Sequence, residues 1–113
     1  MASSKEYLKY VLEQCPEGTA SRAMMGEYVL YYRDKVFGGI YDNRVLVKPT
    51  ASARCLLPNA PMEIPYEGAK EMLLLEGLDD RVLLKELLER MYEELPFPKK
   101  RKRYGNREKG DSL

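Results

Sequence analysis

The sequence predicts an α+β domain. An amphipathic segment lies at each end; between them, short runs rich in aromatic and β-branched residues are broken by Asp and Asn; and one further apolar run follows a proline-rich loop. Helices placed this way must bury their apolar stripes on one face of a sheet, so the expected order is helix, antiparallel meander, short helix, strand, helix. No internal repeat is visible.

Ser3 and Glu6 have the spacing of a capping box, and Tyr7, Leu8, Val11, Leu12 and Cys15 then recur on one helical face. The first helix is predicted from Ser4 to Gln14 or Cys15. Cys15-Pro16-Glu17-Gly18 stops it, because proline cannot continue the hydrogen-bond ladder.

Residues 20–48 carry the run Ala23-Met24-Met25-Gly26-Glu27-Tyr28-Val29-Leu30-Tyr31-Tyr32, then Val36 to Tyr41 and Val45 to Val47. Three or four short antiparallel strands fit, with breaks at Arg33-Asp34 and Asp42-Asn43, since Asp and Asn tolerate the positive φ of tight hairpins. If both turns are two-residue loops, Val29 and Tyr31 share a core face with Val36, Gly38, Ile40, Val45 and Val47. The opposite face then holds Tyr28, Leu30, Tyr32, Phe37, Tyr41 and Leu46, with Arg44 and Lys48. That face is too apolar to be left in water and is the expected partner-binding or homodimer surface. A three-residue turn at Arg33 to Lys35 would instead exchange the faces of the first strand.

Thr50 caps a short helix through about Leu57, ended by Pro58-Asn59-Ala60-Pro61. Met72 to Leu75 suits a buried strand, whereas Glu67 to Glu76 taken whole has good helix formers; the bracketing Gly68 and Gly77 favour the strand. Asp79 or Asp80 caps the last helix, with Val82, Leu83, Leu84, Leu87, Leu88, Met91 and Leu95 as its core stripe and Glu86, Glu89, Arg90, Glu93 and Glu94 as its wet face. Pro96 and Pro98 end it. Lys99 to Leu113 has almost no apolar content and reads as a disordered tail, so the division is a domain over 1–95 and a basic segment over 96–113.

The 113 residues, 44% of them hydrophobic, suffice for one modest core. No apolar run reaches membrane-spanning length and the N-terminus lacks a signal-peptide core, which leads to a cytoplasmic expectation. Cys15 and Cys55 form no CxxC and read as two buried helix thiols; histidine is absent. These absences argue against zinc-finger and thioredoxin-like sites, and against Ser-His-Asp or Cys-His catalysis, so no catalytic residue, metal or cofactor is expected. Charge is uneven: residues 1–95 hold 12 Lys/Arg against 16 Asp/Glu (−4), and residues 96–113 hold 7 against 2 (+5).

The basic run Lys99, Lys100, Arg101, Lys102 and Arg103 is the strongest local signal. It would attract nucleic-acid phosphates without sequence preference, and the competing reading is a solubilising tail. Gly38-Gly39 fits no phosphate-loop pattern and sits inside a strand, where glycine marks a bulge or close packing. Glu63, Glu67, Glu71, Asp79 and Asp80 have neither metal-loop spacing nor the placement of an acid/base pair. Nine tyrosines could stack nucleobases, but Arg33, Arg44 and Lys48 are too sparse an interleaved basic pattern, which favours packing or a protein interface.

Taken in order, Arg22-Ala23-Met24-Met25-Gly26-Glu27-Tyr28, Leu30-Tyr31-Tyr32, Phe37-Gly38-Gly39-Ile40-Tyr41-Asp42 and Leu46-Val47-Lys48 resemble the RxMFGGxGxY…FxxIxD…LYxK pattern of the N-terminal domain of the TfoX/Sxy family. Pro65-Tyr66-Glu67 and the Met72 strand followed by an acid-capped helix continue it, over about residues 1–95. Met25 and Glu27 stand where that pattern usually has an aromatic residue and a glycine, and the family's C-terminal helical domain has no counterpart here. The resemblance implies a secretion-chaperone-like α+β fold and regulation of competence or DNA-transformation genes together with a transcription activator. The expected function is therefore a noncatalytic protein-interaction domain acting as a transcriptional co-regulator; the alternative is a nucleic-acid-associated protein working through its basic tail.

Overall fold

The computed structural model describes residues 3–97. Their order is α1 (Lys5–Gln14), β1 (Thr19–Met24), β2 (Glu27–Tyr32), β3 (Lys35–Tyr41), β4 (Arg44–Val47), α2 (Ala51–Leu56), β5 (Met62–Glu63), β6 (Met72–Leu74) and α3 (Arg81–Glu94). The strands form one antiparallel sheet in the order β1-β2-β3-β4-β6-β5, a four-strand meander to which β6 and β5 add beyond β4. The fold is α+β, and Met72–Leu74 is the expected strand.

Three two-residue hairpins build the meander. Arg33 and Asp34 have φ of 49° and 71°, and Asp42 and Asn43 of 55° and 57°, at the two predicted breaks. A third turn, at Met25 (φ 52°) and Gly26 (φ 87°), divides the run 23–32 into the end of β1 and all of β2. Positive φ at both central residues matches the right-handed twist of the flanking strands.

One irregularity decides which side chains face the core. Tyr32 pairs with Lys35 and Tyr31 with Val36, as a two-residue turn requires, but Leu30 pairs with Gly38 rather than Phe37. Phe37 is the extra residue of a β-bulge, and beyond it the alternation of β3 is inverted relative to β2. Tyr28, Leu30, Tyr32 and Phe37 therefore join Ile40, Val45 and Val47 against the helices. The assignment of Val29, Tyr31 and Val36 to the core face is corrected: they lie on the outer face with Gly39, Tyr41 and Leu46. The bulge caused the exchange, with no third turn residue involved.

Helices α1 and α3 bury Val11, Leu84, Leu87, Leu88 and Met91 on the inner face, with Tyr7, Leu8, Leu12 and Cys15 packed at the margin. Asp80 caps α3 by accepting the Leu83 N–H, and Thr50 caps α2 by accepting the Ala53 N–H. Two details of the expected helices are corrected. Val82 is 80% exposed, because it stands two residues before Leu84 and so on the side of α3 away from the buried Leu84, Leu87, Leu88 and Met91, with Glu86 and Glu89. The cap of α1 is Ser4, whose Oγ accepts from the Tyr7 N–H, whereas Ser3 Oγ donates to Glu27 Oε1 at 2.7 Å and accepts the Asn43 N–H at 3.0 Å. Ser3 thus ties the start of the domain to two hairpin ends.

Candidate interaction surface on the outer sheet face

The helices leave the outer face of the sheet to be covered by other means. Over β3 and β4 the cover is the segment 64–71, which runs back across the sheet before β6. Arg44 anchors its start, donating from its guanidinium to Glu63 in a half-exposed ion pair. The Tyr66 ring then lies 6.0 Å from that of Tyr41, and Pro65 is buried. Tyr41 in turn lies over Gly39, where a Cβ would come within 2.7 Å of both the Tyr41 ring and the Tyr28 carbonyl oxygen. Only glycine fits there, since a side chain would displace ring or backbone. Burial pushes the Tyr41 hydroxyl pKa upward, reinforced by Tyr66 and Glu27.

Under this cover Leu46 is fully buried and Tyr41 is 8% exposed. On the other face Leu30, Tyr32 and Phe37 are at most 1% exposed and Tyr28 is half-buried. The expected contact patch of Tyr28, Leu30, Tyr32, Phe37, Tyr41 and Leu46 is therefore corrected: its members divide between the two faces, and all but Tyr28 are buried within the chain. Lys99, Lys100, Arg101, Lys102 and Arg103 lie outside the described residues. Cys15 is half-buried, while Cys55 is exposed, contrary to the expectation of two buried thiols.

What the outer face does present is a strip over β1, β2 and the start of β3. Ala20, Tyr31 and Val36 are aligned across the three strands, and Arg22 lies beside Val29. Tyr31, Val29 and Val36 are half-buried; Ala20 and Arg22 are exposed, and Met24 is 45% exposed. The strip borders a groove of about 460 Å³ lined by Val36, Tyr41, Lys48, Pro65, Tyr66 and Met72, among others. An apolar floor, with Arg22 on the strip and Lys48, Lys70 and Glu71 on the groove, can accept an apolar side chain flanked by polar groups. The residues Val29, Tyr31 and Val36 escaped the sequence reading because their side depends on the bulge. Gly38-Gly39, where glycine marks a bulge or close packing, is the sequence signal nearest to it, and both hold here: the bulge adjoins Gly38, and neither glycine has room for a Cβ.

Among the described residues, no three His, Cys, Asp or Glu side chains are grouped to hold a metal ion, and no helix is long and apolar enough to cross a membrane. Burial raises the Cys15 thiol pKa to about 11, opposed in part by its hydrogen bond with Thr19.

The architecture is that of a small α+β domain whose helices cover one face of an antiparallel sheet and whose own loop covers half of the other. An uncharacterized 12.7 kDa protein in the trpE 5′ region of Spirochaeta aurantia is 35% identical over 105 residues, which cover 90% of this chain and 91% of the relative. The chain belongs to the same family as that protein. No family model and no solved structure matches it.

Proposed function

We propose that this protein is a noncatalytic interaction domain of the cytoplasm that acts as a transcriptional co-regulator, as its resemblance to the N-terminal domain of TfoX/Sxy regulators implies. The observation that carries the interaction reading is the outer strip of Met24, Val29, Tyr31 and Val36, apolar and only partly covered by the described residues, beside the groove that Tyr66 lines. Partly exposed apolar groups gathered on one sheet face are characteristic of contact surfaces. The resemblance supports the regulatory reading, since several of the residues that carry it, Arg22, Gly39, Tyr41 and Lys48, belong to this face or its margin. The partner class is a protein such as a transcription activator.

The test is capture from nuclease-treated lysate by the full chain and by a Val29→Glu, Tyr31→Glu variant. A stoichiometric protein partner retained by the wild type and lost by the folded variant is the expected result. Equal capture by both chains would remove the outer strip as the contact. Duplex DNA binding with a log–log salt slope of roughly −4 to −5, abolished by truncation after Phe97, would instead favour the basic run 99–103 as the functional element.

A further inference from the structure

We infer that β1 pairs with β1 of a second copy of this chain, joining two sheets into one across a twofold axis centred on Ser21. β1 is six residues long and, among the described residues, bonds to β2 on one side only; it contains no proline, lysine or bulge, and Arg22 is its single charge, so its other edge carries little of what blocks strand addition.

The backbone direction along β1 follows from one bond. The Arg33 N–H donates to the Gly18 carbonyl at 3.0 Å. Antiparallel pairing alternates from there, so Gly18, Ala20, Arg22 and Met24 turn their backbone groups toward β2, and Thr19, Ser21 and Ala23 turn theirs outward. The Thr19 N–H is already held by the Pro16 carbonyl. Among the described residues, the outward amides of Ser21 and Ala23 meet no acceptor.

The edge is complementary to itself, which makes a second copy its partner. With the axis at Ser21, Ser21 faces its own copy as a hydrogen-bonded pair, Thr19 faces Ala23, and Ala20 faces Arg22. No cation faces a cation, and the one bulky side chain, Arg22, faces the small Ala20, while Ser21, Thr19 and Ala23 are all small. An axis at Thr19 or Ala23 would overlap fewer residues. The pairing would also bring two outer strips together, since Ala20 and Arg22 lie on that face. It uses the edge of the sheet and not the outer strip, so the two readings can fail separately.

The experiment is sedimentation equilibrium of the full chain from micromolar to millimolar concentration, with amide hydrogen exchange measured at both ends of the range. A species of twice the 13.1 kDa chain mass is expected at the upper end, with protection of the Ser21 and Ala23 amides rising in step. Ser21→Pro removes an outward N–H that the monomer does not use, and should weaken association on the order of a hundredfold; Ser21→Ala, which keeps the donor, should not. A monomer throughout the range overturns the inference, as does a dimer in which the Ser21 and Ala23 amides exchange at the monomer's rate. The exchange measurement decides the matter even if Ser21→Pro does not fold.

Discussion

The Lys35 ammonium donates to the Tyr92 carbonyl at 2.9 Å and lies 4.0 Å from the centroid of the same residue's ring. The Phe97 ring is 4.3 Å away on the chain leaving α3, and Lys35 is only 5% exposed. The first residue of β3 thus places a cation against the carbonyl end of the last helix, where the helix dipole is negative. Replacing it with Met keeps the buried stem and removes the charge-assisted bond and the cation–π contacts, so Lys35→Met should cost about 2 kcal/mol in urea unfolding. Lys35→Ala should cost more, because the stem's packing is lost as well.

Met25 is 98% exposed with φ of 52°, so it has no packing to lose and occupies a region that non-glycine residues adopt at a cost. Met25→Asn should raise stability by about 1 kcal/mol, since Asn accepts this conformation more readily. Thermal unfolding would show it as a higher midpoint with an unchanged circular dichroism spectrum.

Glu94 joins α3 to α2: its carboxylate accepts from the Ser52 N–H at 3.0 Å and from Ser52 Oγ at 2.7 Å. These bonds favour the charged form and hold its pKa below the usual glutamate value. The unfolded chain therefore binds the proton more tightly. The resulting stabilisation is present above the unfolded pKa and is lost as pH falls through the folded one. Being exposed, it should be small. Carboxyl-resolved NMR titration should find Glu94 below the ordinary glutamate range, and Ser52→Ala should move it back up.

The two thiols should differ sharply in reactivity. Cys55 is exposed, whereas Cys15 is half-buried with its pKa pushed up to about 11. Only the thiolate reacts, so at pH near 8 a disulfide reagent should modify one thiol quickly and the second slowly. Peptide mapping should place the fast label on Cys55, and denaturant should equalise the rates.

Much of this fold was legible in the residues because the responsible physics is local. Asp and Asn at 34, 42 and 43 accept positive φ whatever surrounds them, and Thr50 and Asp80 cap their helices with their own side chains. The apolar spacing of α1 and the brackets of Gly68 and Gly77 around β6 were equally direct. The turn at Met25-Gly26 was not read because methionine carries no turn signal; neighbouring strands hold it at φ of 52°. The candidate contact face depended on tertiary structure. Side chains alternate along a strand, so one extra residue at Phe37 exchanges the faces of β2 and of Val36 relative to the rest of β3 and β4. Which position bulges is set by what the helices can bury together: Leu30, Tyr32 and Phe37 meet the core with Leu84, Leu87 and Met91. Val29, Tyr31 and Val36 are thereby turned outward, and that choice belongs to the packing of distant segments.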